Sequence, residues 1–242
     1  MKGIQHAGEY ELTDLRLYAS SGVVINLSLS YTLLDIYENM FSNGLTGVLT
    51  IVDTNNMIMN APITGQEFLS FKITTPTLDN VPIDFTEHVM AVYKIDIRKA
   101  ERGNEVIQLH FCSPELLRNS RTRLSKAYMG NASDIVDTIL KDAKALNTKK
   151  RLYIEQTLGI KKVVSPNKNP YSLIRDLTTD AISENGSPHF VFFENLDGIH
   201  FRTLDSLYSR GSSGEFIASD QGSIDFQKGG ITNIEEELKA VL

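Results

Sequence analysis

Residues Leu33–Met57, LLDIYENMFSNGLTGVLTIVDTNNM, predict two β-strands joined by a compact turn around Ser42-Asn43-Gly44. A second turn is expected at Asp53-Thr54-Asn55-Asn56, because aspartate and asparagine favour tight turns. The stretch contains no nucleophile beside a base and no metal-ligand spacing. It therefore predicts a structural element rather than a catalytic one.

Further segments around this stretch alternate apolar and polar residues with period two, which is typical of half-buried strands. The predicted strands cover residues 23–34, 45–52, 68–75, 88–100 and 105–112. In the first strand the expected apolar face is Val23, Ile25, Leu27, Leu29, Tyr31 and Leu33, and in the fourth it is Val89, Ala91, Tyr93, Ile95 and Ile97. Five such strands within roughly 90 residues indicate a small antiparallel barrel or sandwich.

Helical patterns begin at Ser113-Pro114, where serine is expected to cap a helix that starts with proline. The predicted helices cover residues 114–119, 133–146 and 169–184, the last with Leu173, Ile174, Leu177, Ala181 and Ile182 on its buried face. Residues 151–157 are a candidate short strand in an otherwise irregular segment, and residues 189–204 form a predicted hairpin with Asp197-Gly198 at its tip. Residues 205–242 contain two further strand-like segments, so we expect the chain to continue into another domain.

The predicted fold class is α+β, mainly β, with three regions. Residues 1–112 are expected to form an antiparallel β-barrel or sandwich, residues 113–205 a small α+β domain, and residues 206–242 the start of a further domain. The single cysteine, Cys112, excludes an internal disulfide framework and is consistent with a reducing compartment. No apolar run approaches the ~18 residues of a membrane-spanning helix.

Charge is distributed unevenly along the chain. Residues 118–168 contain twelve basic and four acidic side chains, a net charge of +8, whereas the other residues contain 12 basic and 26 acidic ones, a net charge of −14. A nucleic-acid surface, a face for an acidic protein partner and a solvated face are all open interpretations of the basic segment. The sparse aromatic residues within it, Tyr128 and Tyr153, make the nucleic-acid surface the weakest of these.

No catalytic, cofactor-binding or metal-binding residue is predicted. The five histidines lack metal-ligand spacing, and Asp53–Asn56 lacks the glycine and closing glutamate of a calcium loop. Cys112 has no neighbouring base and is expected to be a packed side chain. The acidic groups that could supply a glycosidase pair are Glu9, Glu11 and Asp14, or Asp79, Asp84 and Glu87, and proximity in sequence alone does not make such a pair.

Two segments at matching separation resemble one protein family. The first comprises residues 36–56, IYENMFSNGLTGVLTIVDTNN, followed by GQEFLSFKI at 65–73, and the second is YSLIRDLTTDAISENGSPHFVFFENLDGIHFRTLDSL at 171–207. Together they resemble the central baseplate hub protein of contractile-tailed bacteriophages, whose first domain is a tube-type barrel. The order of the elements agrees over roughly residues 10–210.

The resemblance implies a structural protein without catalytic activity and without a cofactor. Such hubs form a ring between the tail tube and the cell-puncturing spike and leave a central channel for the tape-measure protein and DNA. The implied partners are copies of the chain itself in a trimer, the spike, the tube and tape-measure proteins, and the surrounding baseplate wedges. DNA would pass only transiently, along an acidic or neutral wall that avoids phosphate binding. The implied location is the virion tail baseplate, after synthesis in the host cytoplasm.

One departure from the family leaves an alternative open. The chain has room for one complete barrel, residues 1–112, and the truncated start of a second barrel-type domain at residues 206–242. Each hub subunit has two complete barrels, so a hexameric tail-tube-type ring is the main alternative. A cell-wall-degrading tail hydrolase is the second alternative.

Overall fold

A computed structural model describes residues 10–53, 64–75, 82–99 and 105–211 of the 242. The chain is mainly β, with one curled antiparallel sheet followed by a smaller α+β part. This confirms the predicted fold class in outline. Closure of the sheet into a barrel and the domain limits at residues 112 and 205 stay predictions.

The N-terminal part, residues 10–112, forms one sheet with strand order β2-β1-β5-β7-β8-β4-β3, and β6 pairs with β5. Its strands are β1 Glu11–Tyr18, β2 Val24–Asn26, β3 Tyr31–Tyr37, β4 Thr46–Asp53, β5 Phe68–Thr74, β6 Ile83–Asp84, β7 Met90–Lys99 and β8 Glu105–Cys112. The end strands β2 and β3 are consecutive in the chain. In the turn between them the Leu27 N–H donates to Leu15 O on β1, and the Ser30 carbonyl accepts from Val52 N–H on β4. The turn therefore contacts both β1 and β4, the strands next to the two ends of the sheet.

The quoted stretch supplies β3 and β4, the last two strands at one end of this sheet. Strand β4 alternates strictly between buried and half-buried residues and pairs with β8 from Thr46↔Cys112 to Asp53↔Glu105. A Cβ at Gly47 would lie 2.2 Å from Phe111 Cζ and 2.4 Å from Asp35 O, so only glycine lets these strands approach so closely. The predicted strand, turn and strand are confirmed, while the second turn after Asp53 lies outside the described residues.

The prediction of one continuous strand over residues 23–34 is wrong. A turn at residues 28–30 divides it into β2 and β3. Leu27 is 1% exposed but Leu29 is 101% exposed, although the alternation placed both on one face. Ser28 N–H bonds its neighbour Asn26 Oδ1, so local polar chemistry made a turn where the apolar period indicated a strand.

The predicted apolar face of residues 88–100 is correct only in part, since Ala91 is buried and Ile95 packs against the core. Met90 and Val92 are fully buried, whereas Tyr93 and Ile97 are 46% and 51% exposed. The pairing of β7 with β8 shifts register between Val92 and Lys94, which is a β-bulge. One extra residue at a bulge exchanges the two faces of the strand after it.

The C-terminal part, residues 113–211, contains α-helices around two small sheets. Its elements are α1 Pro114–Arg121, β9 Leu124–Gly130, α2 Ala132–Lys141, β10 Leu152–Ile154, β11 Lys161–Lys168, α3 Pro170–Asp180, β12 Phe190–Asn195, β13 Gly198–Thr203 and α4 Leu204–Tyr208. Strands β9 and β11 form an antiparallel pair, and the second sheet has the order β10-β13-β12. The buried faces of α2 and α3 pack with these sheets in one hydrophobic cluster, separate from that of the N-terminal sheet.

The helices agree with the sequence in position and differ in detail. Helix α2 buries Ile135, Val136, Ile139 and Leu140 as predicted, but it ends at Lys141 rather than residue 146. Helix α3 ends at Asp180, and beyond it Ile182 is 46% exposed instead of buried.

The remaining elements of the C-terminal part agree with the sequence only in part. The hairpin β12–β13 and the short strand β10 are confirmed, whereas β9, β11 and α4 were not predicted. Of the proposed further domain at residues 206–242, all positions beyond Gly211 lie outside the described residues.

Candidate functional site

A buried charge cluster lies where strand β8 runs into helix α1. We call Ser113, Glu115, Thr148, Lys150 and Glu194 the junction cluster. Ser113 and Glu115 follow β8 directly, Thr148 and Lys150 precede β10, and Glu194 lies on β12. The cluster therefore ties the end of the N-terminal sheet to the sheet of the C-terminal part.

Lys150 is the centre of the cluster. Its Nζ lies 2.9 Å from Glu115 Oε2 and 2.5 Å from Glu194 Oε1. Hydroxyl groups complete the network, because Thr148 Oγ1 donates to Glu115 Oε1 and Ser113 Oγ donates to Glu194 Oε1, each at 2.8 Å. All three charged side chains are at most 8% exposed, so their attraction is screened little by water.

This arrangement corrects one prediction about Ser113. The residue precedes the helix as expected, but its side chain makes no cap hydrogen bond to α1. Its hydroxyl is instead used by Glu194, 81 residues later in the chain.

Burial and charge act in opposite directions on the pKa values of the cluster. Burial raises the pKa of Glu194 and outweighs the attraction of Lys150. Burial also acts to raise the pKa of Glu115, but the charge and hydrogen bonds of Lys150 dominate and lower it. Burial acts to lower the pKa of Lys150, and the two glutamates more than compensate, so it is raised. The lysine therefore stays charged between the two carboxyl groups.

Two reactive groups near the cluster are held in their protonated forms. Burial, together with the charge of Glu194, raises the pKa of the Cys112 thiol to about 11. Burial, followed by the same carboxylate, raises the pKa of Tyr171 well above its ordinary value. A buried thiol with so high a pKa is a poor nucleophile, which agrees with packing as its role.

Close packing across the junction involves the turn of the quoted stretch. A Cβ at Gly44 would lie 2.7 Å from Leu116 Cδ1 on α1 and 3.3 Å from Glu194 Oε2. The backbone N–H of Ser113 donates to Leu45 O at 3.0 Å. Glycine in this turn therefore lets the β3–β4 connection lie directly against the C-terminal part.

Two cavities flank Lys150 at this junction. One of about 370 Å³ is bounded by Phe68 and His88 on the N-terminal side and by Arg118 and Asn147 on the other. The second, of about 130 Å³, lies between Leu45, Phe85 and the tip of the β12–β13 hairpin. Glu115 lines the first cavity and Glu194 lines the second, and both carboxylates bind the Lys150 ammonium between them.

The residues considered for metal binding are dispersed. His110 bonds Asp96 on the neighbouring strand at 3.0 Å, and His88 and His189 lie elsewhere on the surface. Within residues 10–53, 64–75, 82–99 and 105–211, no group of three metal-ligating side chains is found. His6 and Thr54–Asn56 lie outside these ranges.

Two of the carboxylates considered for glycoside cleavage have other partners. Asp14 pairs with Arg16, and Asp84 pairs with Lys72 and accepts from Thr86. Glu9 and Asp79 are outside the described residues. Glu115 and Glu194, which both bind Lys150, were not predicted to lie close together, because no local sequence pattern links residues so far apart.

The basic segment is partly used within the protein itself. Lysine ion pairs include Lys126–Asp142, Lys141–Asp137, Lys161–Asp180 and Lys168–Asp176, besides the junction cluster. Arg118 Nη1 donates to the carbonyls of Leu146 and Asn147. The net charge of +8 therefore overstates the free positive surface.

His200 is a second buried titratable residue. Its ring is stacked between Tyr153 and Phe193, with centroids 4.5 and 4.7 Å away, and its Nε2 lies 2.8 Å from Asn195 Oδ1. Burial, then the charges of Arg202 and Arg210, lower its pKa to about 4, against a smaller opposite effect of Asp197. The histidine is therefore neutral at physiological pH.

Comparison with known proteins relates the chain to phage tails through its fold. The structure aligns with a 43 kDa tail protein of prophage MuSo2 from Shewanella oneidensis at a TM-score of 0.54 and 11% identity, over 80% of this chain and 53% of that one. A tail protein from Neisseria meningitidis MC58 aligns with the same TM-score and identity, over 88% of this chain and 57% of that one. The expected likeness to phage tail proteins is confirmed at the level of the fold.

The sequence itself gives no such relationship. No family model matches the chain, and no curated protein matches it. The chain spans just over half of the length of the two tail proteins with which its structure aligns. No described helix is long and apolar enough to cross a membrane.

Proposed function

We propose that the chain is a structural subunit of the central hub of a phage tail baseplate. The observation that carries this proposal is the shared fold with two phage tail proteins over most of this chain. In this role copies of the chain form a ring that connects the tail tube to the cell-puncturing spike. The central channel would pass the tape-measure protein and DNA, and baseplate wedge proteins would contact the outside.

Rigidity of each subunit supports a ring-forming role. The junction cluster and the close approach at Gly44 join the curled sheet to the C-terminal part through buried contacts. A ring that must keep its shape under load needs subunits whose parts do not shift against each other. Removal of one partner from a buried ion pair costs about 3–5 kcal/mol, because the other charge is then left buried without compensation.

Exposed apolar side chains supply material for permanent contacts between subunits. Those on the N-terminal sheet and its turns include Leu29, Leu33, Tyr37, Phe41, Tyr93 and Ile97. Permanent interfaces bury roughly 2,000–5,000 Å² and are rich in apolar and aromatic residues. We propose that this surface takes part in self-association.

Electrostatics fits a channel that DNA passes without binding. The residues outside 118–168 carry a net charge of −14. An acidic wall repels phosphates and so avoids the strong contacts that basic surfaces make. We propose a non-catalytic role in the virion tail, with synthesis in the host cytoplasm.

Native mass spectrometry of the purified full-length chain tests the ring. We expect three copies per assembly, in keeping with two barrel-type domains per hub subunit. Six copies would favour a tail-tube-type ring with one barrel per subunit. Two results together would contradict the structural role and favour a hydrolase: a monomer at high concentration, and turnover of peptidoglycan that is lost on a single carboxylate substitution.

A further inference from the structure

Strand β10 is an edge strand whose outer side carries unpaired backbone groups. On its inner side Arg151 O accepts from Ile199 N–H, and Glu155 N–H donates to Phe201 O, each at 2.9 Å. Alternate residues of a parallel strand turn to the same neighbour, so the N–H and C=O groups of Leu152 and Ile154 point away from β13. Within the part of the chain that the structure describes, these groups have no backbone partner on that side.

A cavity of about 370 Å³ borders β10 and includes residues of β13 and α4. Residues 152–155 form one side of it, and Arg202, Ser206 and Arg210 form the other. Strand β10 therefore offers free backbone hydrogen-bonding groups at its edge, and the groove beside it adds apolar side-chain surface and two guanidinium groups.

Arg202 is the unusual residue of this groove. Its Nη1 is buried and has no hydrogen-bond partner. Burial, then the charge of Arg210, lowers the pKa of Arg202. A buried donor without a partner costs free energy, and a second positive charge nearby adds to that cost.

The acidic residue of the groove, Glu155, acts to raise the pKa of Arg202 but forms no ion pair with it. Both carboxylate oxygens of Glu155 accept hydrogen bonds from Thr203. The Thr203 N–H donates to Oε2 at 2.8 Å, and the Thr203 hydroxyl lies 3.0 Å from Oε1 and 2.9 Å from Oε2. No described carboxylate lies within ion-pair distance of Arg202 or Arg210. The groove is therefore complementary to an anion from another molecule.

We propose that this groove binds an extended acidic segment of a neighbouring protein, which adds as a strand to β10 and places a carboxylate on Arg202 and Arg210. Strand addition uses the free groups of Leu152 and Ile154, and a guanidinium pairs with a carboxylate in a charge-assisted hydrogen bond. A nucleic acid would use the arginines but would leave the backbone edge unpaired. Only the kind of partner, another tail protein, rests on the proposed function.

Binding of two matched peptides to the full-length chain tests the groove. The probe is a heptapeptide of alternating valine and threonine with blocked ends and a central glutamate, and its control carries glutamine instead. In isothermal titration calorimetry we expect the glutamate peptide to bind about tenfold more tightly, because a charge-assisted hydrogen bond is stronger than a neutral one. Equal binding of the two peptides, or no binding at millimolar concentration, overturns the proposal.

Variants of the chain and of the peptide separate the two halves of the recognition. Arg202→Gln should abolish the preference for glutamate, whereas Arg175→Gln, at an exposed arginine on α3, should keep it. A glutamate peptide N-methylated at alternate residues should lose binding, and unchanged binding would contradict strand addition. Displacement of the peptide by equimolar inorganic phosphate would reveal only a small-anion site and would also overturn the proposal. Ring formation is measured separately, so failure here leaves the proposed function intact.

Discussion

Lys150 makes the contact on which the junction between the two parts depends most. Its substitution by methionine keeps the side-chain volume but leaves Glu115 and Glu194 buried together without a counter-charge. We expect the free energy of unfolding to fall by about 3–5 kcal/mol, because the remaining carboxylates are uncompensated. Urea denaturation of the Lys150→Met variant measures this loss.

The adjacent Lys149 provides the control for that variant. It is exposed and makes no ion pair within the described residues. Lys149→Met should change the free energy of unfolding by less than about 0.5 kcal/mol. A loss below about 1 kcal/mol for Lys150→Met would show that the cluster does not hold the junction.

His200 predicts how stability depends on pH. Its pKa in the folded protein is about 4, below its ordinary value of 6.5, so the unfolded chain binds more protons between these values. Stability from this residue is full above pH 6.5 and is lost as the pH falls towards 4, by at most about 3 kcal/mol. Urea denaturation at several pH values should show this slope in the native chain.

The slope should depend on His200 itself. His200→Phe keeps an aromatic ring between Tyr153 and Phe193 and removes the titrating group. We expect this variant to lose less stability on acidification, whatever its stability at pH 7, whereas His189→Gln at an exposed position should behave like the native chain. Equal slopes in all three proteins would refute the assignment.

For single residues, the sequence predicted which side chains are packed in the interior but not which distant residues they contact. It correctly placed Cys112 as a packed thiol. It could not pair Lys150 with Glu115 or Glu194, which lie 35 and 44 residues away, because only tertiary folding brings them together. A serine before a proline predicted the helix start, yet it did not reveal that Ser113 binds Glu194.

Leu27 and Leu29 distinguish the turn between β2 and β3 from a continuous strand. Alternation placed both leucines on one apolar face, whereas the structure buries only Leu27. Leu27→Ala should cost about 2–5 kcal/mol of unfolding free energy, and Leu29→Ala should cost almost nothing. Comparable losses from the two substitutions, measured by urea denaturation, would restore the continuous strand.

Elements with a long and regular apolar period were predictable, and irregular ones were not. In strand β4 and helix α2, the apolar period of the sequence predicts the buried face correctly. Strand β11 contains Pro166 and runs KKVVSPNK, a composition that favours a loop, and it forms only by pairing with β9. The bulge in β7 follows from its register with β8, so the sequence of β7 alone does not reveal it.

For the whole molecule, the sequence predicted the order of a β-rich part followed by an α+β part. This order follows from the change of period at residue 113, from two to that of a helix. The arrangement of copies in a ring depends on surfaces that have no periodic signature. That arrangement therefore has to be observed in the assembled particle.

Electron cryomicroscopy of the intact phage particle is the most direct test of the proposed role. We predict that density for the chain lies on the tail axis between the tube and the spike, in three copies that surround the channel. Density at the periphery of the baseplate, in the capsid or nowhere in the particle would contradict a subunit of the central hub.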